Sequence, residues 1–202
     1  MERDTIAPHI NIRRPVFDHG WTEYDRTSAD EVMERLSEAT IAITNKAPIR
    51  RDSLEKCPDL KMIAIAATGS DIVDLKECSE RGIIVSNIRG YAVNTVPEHT
   101  FGLILGLKRA LIGYRKDVAD GEWQKADQFC FFNHRINDLR GSRLGIIGEG
   151  SLGNSVASIG MNGFGMEPIF LDHDFVNPDE LMSKIFLSFN EFMASMEIIS
   201  VH

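Results

Sequence analysis

Three glycines and one carboxylate carry the most chemistry in this sequence. Gly148, Gly150 and Gly153 stand in a G-x-G-x-x-G spacing, and Asp172 follows about twenty residues further on. Each position has a mechanical reason. Gly148 permits a sharp turn out of a strand. Gly150 puts no side chain between the backbone and an approaching pyrophosphate. Gly153 lets the following helix lie close to the sheet. A helix opening at Ser151 would aim its unpaired N–H groups, and the positive end of its dipole, at phosphate oxygens. Asp172 could accept hydrogen bonds from both hydroxyls of an adenosine ribose. His173 and Asp174 follow it, and no arginine does. A 2′-phosphate would be repelled there, so the pattern favours NAD over NADP.

The elements that must hold these residues are legible around them. Leu144, Ile146 and Ile147 form the short apolar run of a strand buried in a parallel sheet, and Pro168 to Leu171 form a second. The helix between them starts near Ser151. The same strand–turn–helix–strand unit would also suit glycines that serve packing alone and bind nothing.

The chain before this unit alternates strands and helices, the mark of an open α/β sheet. Residues 1 to 20 are polar and irregular, with Pro8 and Pro15. Trp21 to Asp25 reads as a strand. Ser28 caps a helix over Ala29 to Glu38. Strands are expected at Thr40 to Thr44, Leu60 to Ala66 and Ile83 to Val85, with helices over Asp52 to Cys57 and from Asp74 to Gly82. The turn Ala67-Thr68-Gly69-Ser70-Asp71 is rich in small residues. Asn94 to Ala119 reads as one long helix, with Thr95 and Glu98 as a capping box and Pro97 in the first turn. Its body is apolar on nearly every side, so it should be widely buried, between two domains or at a subunit interface. Gly121 to Asn137 reads as an aromatic loop. Asn177 to Leu187 reads as a loop, Ser188 to Ser195 as a capped helix, and Glu197 to Val201 as the third strand of the unit.

Composition narrows the function classes. The chain has 202 residues, 43% of them hydrophobic and 26% charged, and a net charge of −8. With no basic cluster, neither nucleic acid nor an anionic membrane is an expected partner. No run is long enough to span a membrane, and the start carries no leader pattern. Cys57, Cys78 and Cys130 are scattered and odd in number; they suit a reducing cytoplasm and offer no metal-ligand spacing.

These features together resemble the D-isomer-specific 2-hydroxyacid dehydrogenases. The likeness is carried, in order, by AATGSDIVDLKECSERGIIVSN (66–87), NTVPEHTFGLILGLKR (94–109), GEW (121–123), LRGSRLGIIGEGSLG (139–153) and EIISVH (197–202). TNKAPI (44–49) and FCFF (129–132) look most like the glycerate dehydrogenase and hydroxypyruvate reductase type. The resemblance implies a flavodoxin-like portion of a substrate domain over residues 1–93. It implies the first half of a Rossmann dinucleotide-binding domain over 94–202, opened by the long helix. It also implies roles: Thr95, Gly148, Gly150, Ser151, Leu152, Gly153 and Asp172 for NAD, and the backbone of Thr68 and Gly69 for the substrate carboxylate. The reaction implied is hydride transfer between NAD(H) and a small 2-hydroxy or 2-oxo acid, in a homodimer joined through the long helix.

The departures from the family matter too. Its carboxylate-binding arginine, its acid/base histidine and the glutamate paired with that histidine would all follow the position of His202. The front looks clipped by a strand, and Asn154 stands where arginine or glutamine is commoner. No residue is therefore assigned to catalysis and none to a metal. Among the histidines, His9 and His19 lie in the irregular leader, His134 on a loop, His173 beside the adenosine site and His202 at a strand end. His99, in the first turn of the long helix, reads more simply as a hydrogen-bonded residue than as a base. Lys46 reads equally as a cleft residue or a solvated lysine. The alternative to an enzyme chain is a non-catalytic NAD-binding or dimerising module, or an inactive fragment.

Overall fold

The computed structural model describes residues 2–172 and 184–202. The chain divides into two compact units, Met1–Gly90 and Tyr91–His202.

In the first unit, β1 (Ile41–Thr44), β2 (Met62–Ile65) and β3 (Ile84–Asn87) form a parallel sheet in the order β1-β2-β3. Helices α1 (Val32–Leu36), α2 (Arg51–Leu54) and α3 (Leu75–Glu80) alternate with them. On the central strand Ile63 and Ile65 share one face and are fully buried, while Met62 and Ala64 on the other face are half-buried. Ile49, Leu54, Val73 and Cys78 complete this core. Asp74 caps α3 by accepting from the Glu77 N–H at 3.0 Å, and Gly82 leaves the helix at φ +69°. The buried Glu77 carboxylate is bracketed by Arg81 Nε at 2.6 Å and Arg51 Nε at 2.7 Å.

Two expectations change here. Trp21 to Asp25 is not a strand. The Tyr24 and Asp25 carbonyls accept from Arg3 and Asp4, but Arg3–Thr5 is wound into a 3-10 turn and cannot extend a ladder. The helix expected over Ala29 to Glu38 shortens to α1. The Glu31 carboxylate takes the Ser28 N–H at 2.9 Å and its hydroxyl at 2.7 Å, which closes a turn ahead of the helix.

The second unit runs α4 (Thr95–Lys108), α5 (Leu111–Ala119), α6 (Glu122–Lys125), β4 (Arg143–Ile147), α7 (Ser151–Phe164), β5 (Glu167–Leu171), β6 (Phe186–Leu187), α8 (Phe189–Ser195) and β7 (Ile198–Val201). Its strands are parallel, in the order β6-β5-β4-β7. The strand expected third in this unit is thus fourth. The two-residue β6, too short to show an apolar period, precedes it and pairs on the far side of β5. Phe192 is wholly buried. A Cβ built on Gly145 would meet its ring at 2.6 Å, so α8 seats directly on β4.

The single helix expected over 94–119 is two. Ala110 adopts φ +48°, a conformation that ends α4. The loop after α6 supplies the compensation: Asn137 N–H donates to the Lys108 carbonyl at 2.8 Å, and Asp138 pairs with Arg109 at 2.6 Å. The capping box does not form either. Asn94 holds the cap position without a side-chain bond, and Thr95 is already helical. The wide burial expected of this helix is limited to Phe101, Ile104 and Pro97; Leu107 and Ile112 stay 82% and 80% exposed. The expected loop from Gly121 carries the short α6. Among the described residues, no helix is long and apolar enough to cross a membrane.

Truncating Phe192→Ala should destabilise the second unit by about 3–5 kcal/mol, read from chemical unfolding. Glu77 should make the first unit acid-sensitive. The Arg81 and Arg51 guanidinium groups hold its carboxyl below the usual carboxylate range. A depressed folded pKa gives stability that is present above the unfolded value, about 4.3, and is lost as pH falls through the folded one. Glu77→Gln should therefore lower the unfolding midpoint at neutral pH and flatten its fall below about pH 4.

Candidate functional site

The glycine turn lies at the carboxyl end of β4. From β4 the sheet continues to β5 on one side and to β7 on the other. Such a reversal leaves a crevice beyond the strand ends, the usual ligand position in open α/β sheets.

The three glycines are there for different reasons. Gly148 has φ +103°, and a Cβ on it would sit 2.2 Å from the His202 carbonyl oxygen. That oxygen belongs to the residue after β7, whose N–H donates to the Ile147 carbonyl at 2.9 Å. A Cβ on Gly153 would lie 1.9 Å from the Gly148 carbonyl and 3.1 Å from Ile146. Both positions are closed by the protein itself. Gly150 is not. It is extended (φ −66°, ψ −173°), a conformation open to any residue, and a Cβ there meets nothing within 4 Å. Packing does not require a glycine at 150; a ligand lying over the backbone would. The residues present thus fit a pyrophosphate.

Ser151 and Leu152 open α7, a helix of 14 residues with no side-chain cap. Their N–H groups, with that of Gly153, have no partner inside the helix and face outward with the positive dipole end. Asn154 occupies the next turn. Its amide donates to the carbonyls of Glu149 and Gly150, the latter at 3.0 Å, and so braces the turn from within. That explains why asparagine is accepted at this position. Asp172 follows β5 directly. It is exposed, and its N–H donates to the Leu187 carbonyl at 2.8 Å, which fixes the strand end. His173 and Asp174, on which the preference for NAD rested, lie outside the described residues.

Thr95 is exposed at the first residue of α4. The helix packs on α7 further along, where Phe101 stacks on Phe164 with centroids 5.0 Å apart. Thr68 and Gly69 belong to the first unit, in the exposed turn after β2. Asn87 donates to the Thr68 carbonyl at 2.7 Å and holds the turn open. Among the described residues, neither the Thr68 nor the Gly69 N–H meets an acceptor.

The histidines separate clearly. His99 is exposed on α4, and His19 contacts the Phe17 carbonyl at 2.7 Å. His202 is lowered by burial and meets the Ser200 hydroxyl at 2.8 Å, not a carboxylate. His134 Nε2 lies 3.0 Å from the Asp117 carboxylate, an approach with no local sequence signal because it joins a loop to α5. Its ring lies against Gly113 and Tyr114. Lys46 is exposed, with its backbone N–H turned inward. Among the described residues, no cluster of His, Cys, Asp or Glu could hold a metal ion.

Comparison with known proteins adds an independent line. Residues 12–199 match the family described as D-isomer specific 2-hydroxyacid dehydrogenase, catalytic domain. The chain is 48% identical over 158 residues to a glycerate dehydrogenase of Methylorubrum extorquens, covering 78% of this chain and 50% of that protein. A D-lactate dehydrogenase of Aquifex aeolicus, solved with NAD and lactic acid, superposes with a TM-score of 0.69 at 28% identity, over 86% of this chain and 52% of that one. An acyclic imino acid reductase solved with NADPH and D-Arg gives 0.71 at 27%, over 86% and 54%. The chain therefore spans about half the length of these proteins.

Substituting the glycines one at a time should separate their roles. Gly148→Ala and Gly153→Ala should each lower the thermal midpoint by several degrees, through strain and overpacking of about 1–3 kcal/mol. Gly150→Ala, which crowds nothing and only replaces the glycine N-cap of α7, should lower it by less than either.

Proposed function

This chain belongs to the D-isomer specific 2-hydroxyacid dehydrogenase family, and on that premise we propose that it supplies the NAD site and part of the substrate site of a glycerate- or hydroxypyruvate-type dehydrogenase. The observation that carries the reading is Gly150, a glycine that the fold leaves uncrowded between two that the fold requires. The N–H groups of Ser151, Leu152 and Gly153 hold the pyrophosphate of the cofactor, and Asp172 orients its adenosine ribose. Asp172 disfavours a 2′-phosphate, which makes NAD the preferred form. Thr95 contributes from the start of α4. When bound, the nicotinamide provides the hydride acceptor or donor that no side chain can be. Residues 1–90 hold the acid: the Thr68 and Gly69 N–H groups bind the carboxylate of a small 2-hydroxy or 2-oxo acid, as a backbone turn binds an anion.

Two further features belong to this reading. Leu103, Leu107, Leu111 and Ile112 leave an apolar surface on α4 and α5 that suits a homodimer. Three unpaired thiols, with Cys57 and Cys78 pushed up by burial, suit the reducing cytoplasm. The acid/base step is not assigned to residues 2–172 or 184–202. None of their histidines brings a partner carboxylate to the glycine turn. Residues 1–202 alone should therefore bind cofactor without turning over, and the non-catalytic module remains the second reading on that same observation.

Calorimetry of NADH with the 202-residue chain tests this. Binding in the micromolar to millimolar range is expected, with NADPH weaker. Asp172→Ala should weaken NADH by about tenfold or more, the loss of hydrogen bonds to a charged acceptor. Gly150→Ala should weaken it while the protein stays folded. A folded protein that binds no NADH would overturn the reading, and NADH-dependent reduction of hydroxypyruvate by the same sample would overturn the assignment of inactivity.

A further inference from the structure

The turn from Gly148 to Gly153 is tight at its ends and open in its middle. Gly148 and Gly153 are each closed in by backbone that a Cβ would strike, while a Cβ on Gly150 would meet nothing within 4 Å. Packing at Gly150 therefore does not fix the Glu149–Gly150 peptide. A peptide that enters a glycine turns over readily, because glycine accepts positive and negative φ alike. Turned over, this one would present a carbonyl to the crevice in place of an N–H, and a carbonyl repels an anion.

Asn154 supplies the restraint that packing leaves out. Its side-chain amide donates to two carbonyls, those of Glu149 and Gly150, the second at 3.0 Å. Both partners are acceptors, so the NH2 end of the amide faces them, with one hydrogen for each. The Gly150 carbonyl is tied a second time, by the Asn154 backbone N–H at 3.0 Å, which is the first bond of the α7 ladder. The Glu149 carbonyl lies one residue ahead of that ladder, and the side chain reaches back to it. A trans peptide points its C=O and its N–H in opposite directions. Tying the Glu149 carbonyl toward α7 thus turns the Gly150 N–H away from the helix, to the crevice side. The tied Gly150 carbonyl does the same for the Ser151 N–H.

We propose that Asn154 is a positioning residue for the cofactor: by holding the Glu149 and Gly150 carbonyls on the inner side of the turn, it keeps the Gly150 and Ser151 N–H groups aimed at the pyrophosphate. The inference rests on the reading of this turn as a pyrophosphate site. It adds the Gly150 N–H to the donors of Ser151, Leu152 and Gly153, and gives its orientation to a side chain behind the turn. The donors are then preorganised, and the anion meets N–H groups that already face it. Without the tether the peptide samples both orientations. The apparent affinity then falls in proportion to the fraction of chains in the binding orientation.

The test compares the 202-residue wild type with Asn154→Leu, which keeps the branched shape without donors, and Asn154→Ala. Both replacements are neutral and are better helix formers than asparagine, so α7 keeps its ladder and the variants fold. Three probes are used: NADH by calorimetry, and sodium pyrophosphate and adenosine by amide resonance titration. Both variants should bind NADH about tenfold more weakly. Pyrophosphate should move the Gly150 amide in the wild type and need a similarly higher concentration in the variants. Adenosine, which has no phosphate, should move the Asp172 amide equally in all three proteins. The residual dipolar coupling of the Gly150 N–H, measured without ligand, should fit the structure in the wild type and depart from it in both variants. Unchanged NADH affinity in both variants would overturn the inference and leave the cofactor site standing. A parallel loss of adenosine and NADH would also overturn it, since Asn154 would then hold up the whole unit and not one peptide. A wild type that binds neither NADH nor pyrophosphate would bring down the cofactor reading itself, and the inference with it.

Discussion

The second unit depends on one close approach. Helix α7 lies so near β4 that a single added carbon at Gly153 would sit 1.9 Å from the Gly148 carbonyl. Only a pair of glycines tolerates this. The consequence is positional: the first turn of a 14-residue helix opens directly over the strand end. Unpaired N–H groups and a positive dipole end then face the crevice between β5 and β7, with Asp172 at the adjoining strand end. His202 closes the other side, its carbonyl against Gly148. Packing therefore fixes where those N–H groups point, and Gly150 is the one glycine of the three that no packing contact crowds.

The first unit solves a different problem with the same topology. Its parallel strands also end on one edge of the sheet, where carbonyl and N–H groups emerge without partners. One end, after β2, leaves the Thr68 and Gly69 N–H groups open. The next, after β1, is filled by the chain's own Glu2 carboxylate. Away from that edge, the buried Glu77 carboxylate is neutralised by two arginines and so carries structure, not recognition. A buried charge with two cationic partners is tolerated because their attraction offsets its desolvation penalty.

The region from α4 to Asp138 shows how tertiary contacts redirect local preference. Ala110 is a strong helix former placed at φ +48°. Its cost, of order 1–2 kcal/mol, is offset by the Asn137 bond to the Lys108 carbonyl and the Arg109–Asp138 pair. The break turns α5 away from α4 and leaves Leu107 and Ile112 in solvent in the isolated chain. An apolar helix face exposed at that level is the usual sign of an interaction surface.

Much of this was written in local sequence. The apolar runs of β1, β2, β4 and β5, the Asp74 cap, the glycine spacing and Asp172 each depend on neighbours a few residues away. Periodicity and turn chemistry are enough to find them, and the family resemblance rested on the same stretches. The rest needed distance. No pattern links Asp117 to His134, Asn137 to Lys108, or Glu2 to Asn45, because each pair meets only after the chain has folded back. The two-residue β6 and the broken helix at Ala110 likewise have no local signature. The sequence by itself determined which residues could turn, cap and bury. The tertiary structure decided which glycine was left uncrowded and which carboxylate was enclosed. Crowding and desolvation are set by atoms far apart along the chain, and no local spacing encodes them.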